Sequence, residues 1–115
     1  MHVTVEFMFP AAHHLPRYEG ACARPHGHNY KLHVTVEGSP DPWSGMVIDF
    51  VELKRVVGDA VMARVDHRDL NEIMENPTAE NLAAWIWEQI APALKGLREV
   101  RLYEQDDCFV TYRGA

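Results

Sequence analysis

The apolar residues of this chain recur at every second position, then at helical spacing, then at every second position again. That double change of period restricts the folds open to it. In VTVEFMF, Val3, Val5, Phe7 and Phe9 share one face while Thr4, Glu6 and Met8 share the other, the alternation of a half-buried strand. Pro10 is expected to end it. In NYKLHVTVEG, Tyr30, Leu32, Val34 and Val36 oppose Lys31, His33, Thr35 and Glu37, and the turn-rich GSPDPWSG closes this second strand. The intervening AAHHLPRYEGACARP reads as a loop, interrupted by Pro16, Gly20 and Pro25.

The period then lengthens. Asp49 can cap a helix striped with Leu53, Val56, Val57, Ala60 and Val61. Thr78 can cap another, with Glu80 in the dipole-favoured first turn and Leu82, Ile86, Ile90 and Leu94 recurring every fourth residue. Pro92 should kink or shorten this second helix, and Gly96 marks its end. EVRLYEQ and CFVTYRG return to alternation around an Asp106-Asp107 hairpin turn. The order β-β-α-α-β-β predicts an α+β fold, a four-stranded antiparallel sheet with both helices on one face. Such a sheet has two open edges and one bare face, which oligomerisation would cover.

Composition narrows the function. The 115 residues suit one domain spanning 1–115, and 47% hydrophobic residues suit a soluble globular protein. A net charge of -6 without any Lys/Arg run argues against nucleic acid as a partner. No apolar run is long enough to cross a bilayer and no signal peptide is visible, so a membrane is not expected. Two cysteines make no disulfide framework, which points to the cytoplasm. Seven histidines exceed what packing or solubility asks for.

Two of them stand in CARPHGHNY, Cys22 to Tyr30, at the head of the second strand. Residues two apart in an extended chain point to one side, so His26 and His28 can aim at one point and hold a metal ion. A third imidazole from His13 or His14 would leave a fourth position open, as catalytic zinc sites do, whereas Cys22 as fourth ligand would make a closed structural site. His2 and His33 have no such companions and read as surface residues. Asp66 adjoins His67, and a carboxylate there can fix the imidazole tautomer. Glu104 shares strand parity with Val100 and Leu102, an arrangement that is costly unless the acid is paired or engaged by a ligand. Cys22, near imidazoles and a cation, could ionise near neutrality and serve as a base. Cys108 reads as a small buried hydrophobe.

Taken together, these motifs resemble the 6-pyruvoyl-tetrahydropterin synthase family, and within it the bacterial 6-carboxytetrahydropterin synthases of queuosine biosynthesis. The resemblance covers nearly the whole chain: FPAAHHL, CARPHGHNY, GMVIDFVELK, VDHRDLN, PTAENLAAWI and the YE before the final hairpin occur in the family's order. It implies the T-fold, with trimers whose sheets join into a barrel and two trimers stacked as a homohexamer, active sites lying between subunits. It implies zinc on His13, His26 and His28, with Cys22 as proton-transferring base and Asp66 and His67 completing a relay. Glu104 would anchor a pterin ring. The implied substrate is 7,8-dihydroneopterin triphosphate. The three residues between Cys22 and His26 resemble the carboxy-type spacing, which implies release of acetaldehyde and triphosphate rather than a pyruvoyl product. Arg17, Arg24 and Lys54 are the cations expected to meet the triphosphate. Gln105 stands where the family usually carries Thr, and Val65 where it carries Leu. Two rivals remain at this level: a non-catalytic metal-binding module, and an aldolase or epimerase acting on another pterin.

Overall fold

The computed structural model describes residues 1–115. Strand β1 (His2–His13) pairs antiparallel with β2 (His26–Glu37) in unbroken register, from His2 opposite Glu37 to His13 opposite His26. Strand β3 is only Arg68–Asp69, β4 spans Leu97–Gln105 and β5 spans Cys108–Tyr112. The sheet order is β3-β1-β2-β4-β5. The expected four antiparallel strands are therefore present as β1, β2, β4 and β5. The count is corrected to five, because β3 adds a short parallel pairing beside Ala11 and Ala12. Two residues are too few for alternation to reveal a strand.

Pro10 does not end β1. Its carbonyl accepts from the His67 N–H at 2.8 Å, on the side of β3. Within a strand a residue's N and O face the same neighbour, so the nitrogen that cannot donate is turned away from the long β2 ladder. The strand continues to His13, keeping the parity of Val5 and Phe9, and Ala11 and His13 are buried in turn.

Both capping expectations hold. Asp49 accepts from the Val51 N–H and opens α1 (Phe50–Val57), while Thr78 accepts from the Asn81 N–H and opens α3 (Ala79–Ile90). Helix α1 runs on through a π-helical stretch, Gly58–Met62, into the short α2 (Ala63–Val65). Pro92 shortens the second helix as expected. Residues Ala91–Ala93 form a 3-10 turn, after which Leu94 still reaches the core. Leu53, Val56, Val57, Val61, Leu82, Ile86 and Ile90 pack against the sheet's inward pleat, Val5, Phe9, Leu32, Val34, Val100 and Leu102 among it, in one cluster of 20 buried hydrophobic residues. Each such aliphatic side chain contributes about 1.5–3 kcal/mol by leaving water.

The opposite pleat is polar. Thr4 meets Thr35 at 2.7 Å, Glu6 meets His33 at 2.8 Å, and the Lys31 ammonium lies 4.6 Å from the centre of the Tyr103 ring. Cys108 is exposed, against the expectation of a buried hydrophobe. It lies where β5 leaves the tip of the hairpin, with its thiol 3.3 Å from the Asp107 carboxylate, which holds the thiol pKa up. No helix is long and apolar enough to cross a membrane.

Candidate metal centre and active site

The β1–β2 register decides what meets at the end of the sheet. His13 and His26 are a directly opposed pair, His28 lies opposite Ala11, and Tyr30 lies opposite Phe9. All six share the inward pleat, so the ladder of core residues continues without a break into three imidazoles. Phe9 and Tyr30 stack at 5.1 Å and 9°, forming the floor between core and site. The three histidine rings stand edge to face at centroid distances of 4.6, 4.8 and 5.1 Å, and each offers a nitrogen within 4.8 Å of the others. Three histidines can therefore hold a metal here.

Tautomers follow from the partners. His13 Nδ1 lies 2.8 Å from the Pro77 carbonyl oxygen and His26 Nδ1 lies 2.7 Å from the Arg24 carbonyl oxygen. A carbonyl only accepts, so each Nδ1 carries the proton and each Nε2 is bare. The Tyr30 hydroxyl oxygen, 3.2 Å from His13 Nδ1, shares that proton as a second acceptor. The two bare Nε2 atoms then face one another at 3.0 Å. Opposed lone pairs repel unless a cation lies between them. Two nitrogens on tetrahedral zinc would be about 3.3 Å apart, given Zn–N bonds of about 2.0–2.1 Å. His28 adds a third sign, since its Nε2 is buried without a hydrogen-bond partner. Glu104 Oε1 is 3.2 Å from that nitrogen, but not in the direction of an N–H bond. The donor set fits a metal ion.

Electrostatics favour a neutral His28. Burial pushes the His28 pKa below its ordinary value. Glu104 opposes the shift, while His13 and His26 reinforce it. Burial, with Glu104 adding, pushes the Tyr30 phenol up, so it stays protonated. His13 is 1% exposed. His14, the neighbour that spacing alone could not separate from it, lies outside the converging set, with its Nε2 3.5 Å from the Asn71 side-chain amide.

Cys22 sits in a 3-10 turn, Ala21–Ala23, half-buried and outside the set of converging ligand atoms. Gly20 precedes it at φ +140°, a backbone that side-chain-bearing residues rarely adopt, and the Leu15 N–H donates to the Cys22 carbonyl at 2.9 Å, tying the loop to the end of β1. The closed site with Cys22 as fourth ligand is not formed.

Asp66 Oδ1 accepts from His67 Nδ1 at 2.8 Å, which leaves Nε2 of this imidazole free. The His67 side chain is 77% exposed and its backbone is left-handed at φ +58°, an uncommon conformation for a residue other than glycine. His67 lines a cavity of about 510 Å³ with His28, Gly27, Asn29, Arg68 and the Pro10–Ala12 stretch. Cys22, His13 and His26 do not line that cavity. Arg68 was not singled out from sequence, although its place next to His67 was a usable signal. Of the expected cations, Arg17 is paired with Glu75 at 3.3 Å, and Arg24 contributes its carbonyl to His26. Lys54 is exposed on α1. The Pro77 and Arg24 carbonyls orient two of the three imidazoles, and backbone groups leave no residue-type signal.

Known proteins resemble this chain in sequence and fold. A family model described as 6-pyruvoyl tetrahydropterin synthase matches residues 2–115. A protein of Archaeoglobus fulgidus, provisionally assigned as a 6-carboxy-5,6,7,8-tetrahydropterin synthase, is 38% identical over 98% of this chain and 96% of its own. A dihydroneopterin monophosphate aldolase of Pyrococcus furiosus is 47% identical over 71% of this chain and 72% of its own. The structure of Caenorhabditis elegans 6-pyruvoyl tetrahydropterin synthase superposes with a TM-score of 0.86 at 31% identity, covering 100% of this chain and 97% of that one. The sheet and its two helices thus form the T-fold, and the chain belongs to the 6-pyruvoyl tetrahydropterin synthase family.

Proposed function

We propose that this pterin lyase is a zinc-dependent 6-carboxy-5,6,7,8-tetrahydropterin synthase. It would convert 7,8-dihydroneopterin triphosphate to 6-carboxytetrahydropterin, with release of acetaldehyde and triphosphate, in queuosine or 7-deazapurine biosynthesis. The observation that carries the reading is the convergence of His13, His26 and His28 with Cys22 held outside the ligand set, which leaves a thiol for proton transfer. The Archaeoglobus relative, aligned over nearly the full length, and the three-residue spacing from Cys22 to His26 favour the carboxy product.

In this reading the three imidazoles hold zinc, which when bound polarises the oxygens of the substrate side chain and makes its neighbouring C–H groups more acidic. Cys22 takes and returns protons on those carbons. Asp66 holds His67 by Nδ1, so that Nε2 is free to exchange protons with the substrate oxygen or, across a subunit boundary, with the thiol relay. Glu104 accepts from the pterin amino and ring N–H groups, a charge-assisted pairing that orients the ring. The exposed His67 and the bare edges of the sheet fit a homohexamer of two trimers with sites between subunits, working in the cytoplasm. Arg68, beside His67, is a local cation for an anionic tail in a chain of net charge -6.

A second reading has its own support in the 47% identity to the Pyrococcus aldolase. The same ligands and base could cleave the side chain between its first two carbons, giving 6-hydroxymethyldihydropterin and a phosphorylated glycolaldehyde. Product analysis by mass spectrometry on purified protein with dihydroneopterin triphosphate separates them. Acetaldehyde and 6-carboxytetrahydropterin support the first reading. 6-Hydroxymethyldihydropterin establishes the second, and 6-pyruvoyltetrahydropterin overturns both. In parallel, Cys22→Ala should abolish turnover and keep the metal; loss of metal would mean that the thiol is a ligand.

A further inference from the structure

Two sequence motifs, VDHRDLN and PTAEN, contain asparagines that the proposed chemistry does not use. Both converge on the end of β1. His14 lies one residue beyond the last β1–β2 pair, so its backbone has no strand partner there. The Asn71 side chain takes that place. Its Oδ1 accepts from the His14 N–H at 2.8 Å and its Nδ2 donates to the His14 carbonyl at 3.0 Å, satisfying both backbone groups with one amide. The same Nδ2 lies 3.2 Å from the Glu75 carbonyl, which joins β1 to the segment that carries Pro77.

Asn71 is itself held. It lies in a 3-10 turn, Leu70–Glu72, capped by Asp69 Oδ1 on the Asn71 N–H at 3.0 Å, and the preceding Leu70 is fully buried. Downstream, Asn81 Nδ2 donates to the Asn76 carbonyl at 2.8 Å and Thr78 caps α3, so the Asn76–Thr78 turn is fixed from both sides. The product of this bracing is the Pro77 carbonyl, 2.8 Å from His13 Nδ1. Asn71 touches neither imidazole nitrogen of His13, yet it links the backbone on which that ring stands to the segment that aims the ring.

We propose that Asn71 is a positioning residue for the metal ligand His13, an inference that rests on the metal-site reading above. It fixes the end of β1 against the Pro77 segment, so that Nδ1 keeps its proton on the Pro77 carbonyl and Nε2 stays bare and aimed at the other two imidazoles. Groups that hydrogen-bond a metal ligand directly, as the Pro77 carbonyl does, typically carry about 10–100-fold in metal affinity, and Asn71, one step further out, is expected at the low end of that range.

The test is cobalt(II) titration of the full chain, read by the visible d–d absorption of the bound ion and by competition with a chromophoric chelator. Asn71→Ala is compared with Val110→Ala, a change on β5 that loosens the core far from the ligands. The expected result is about 10-fold weaker cobalt binding, the low end of the range for ligand-orienting groups, and an altered d–d spectrum for Asn71→Ala, with Val110→Ala matching the unchanged chain in both. The inference is overturned if Asn71→Ala binds as tightly and with the same spectrum, or if Val110→Ala weakens binding equally at equal loss of Tm. An unchanged chain that takes up no cobalt sinks the metal-site reading itself, and this inference with it, and is told apart because the failure precedes any substitution. Should Asn71→Ala not fold, Asn71→Asp keeps the size and the His14 N–H acceptor and removes both donated bonds. The same weakening and spectral change are expected of it, and their absence overturns the inference.

Discussion

His13 and His26 face each other across two antiparallel strands, with bare Nε2 atoms 3.0 Å apart and both Nδ1 protons committed to backbone carbonyls. Without a cation between them this arrangement is repulsive, and replacing one ring should destroy metal binding rather than retune it. His26→Ala is expected to lose the metal entirely, measured by metal content after gel filtration. A variant that keeps about one ion per chain would mean that the ligands lie elsewhere.

Removing the metal should stop turnover without unfolding the chain. The core of 20 buried hydrophobic residues is closed by sheet and helices and is only adjoined by the histidines. Chelation is therefore expected to leave the far-ultraviolet circular dichroism unchanged while activity disappears and returns with added zinc. Unfolding on chelation would instead identify a structural site.

The metal-free protein should lose stability in acid through His28. Its folded pKa lies below the ordinary value of 6.5, chiefly through burial. Below that pH the unfolded chain takes up a proton that the native chain resists, so the unfolded state binds more protons and is favoured. The stability is complete above pH 6.5 and is lost as pH falls toward the depressed folded value. Urea unfolding at a series of pH values should show this slope, flattened in His28→Asn. An identical slope in that variant rules His28 out as its source.

Glu104→Gln separates substrate binding from metal binding. If Glu104 anchors the pterin as proposed, the change removes a charge-assisted bond, a contribution of about 1.5–3 kcal/mol, and lowers kcat/KM by about 10–100-fold. Glu104 also opposes the downward shift of His28, so in the metal-free protein the variant should keep His28 neutral to lower pH, as nuclear magnetic resonance titration of the ring would show. A His28 that titrates at higher pH in Glu104→Gln would contradict this.

Two changes probe the scaffold. Ile86 is fully buried on α3, and Ile86→Ala should cost about 2–5 kcal/mol. Thr78→Ala loses the cap on the Asn81 N–H and should cost about 1 kcal/mol. Denaturant titration gives both values, and a Thr78→Ala loss as large as that of Ile86→Ala would mean that the cap does more than begin a helix.

Much of this was legible because pleat parity is written into residue order. Val5, Phe9, Leu32 and Val34 declared the inward face, and Asp49 and Thr78 marked the helix starts. The choice between His13 and His14 was legible too, but only if β1 is allowed to run through Pro10. Odd positions from Val3 onward then lead to His13. Pro10 misled because a proline is tolerated where its nitrogen faces a short neighbour rather than a long ladder. Cys108 misled because its parity matches Val110 and Tyr112 while its position at the hairpin tip leaves it exposed. The carbonyls that select the imidazole tautomers could not be read at all, since every residue type carries the same group.

The continuous pleat from core to ligands also says where this chain can change length. Removing one residue from either long strand would turn every later side chain to the other face, putting imidazoles in water and polar groups in the interior together. Within the connection from His14 to Pro25, the stretch from Pro16 to Glu19 lies outside the pleat, the Cys22 turn and the Arg24 carbonyl and bears no such constraint, because doubling a flexible loop costs only about 0.6 kcal/mol. Insertions and deletions among descendants of this protein should therefore collect in that stretch, and lineages could acquire new preferences there while inheriting the imidazole geometry intact.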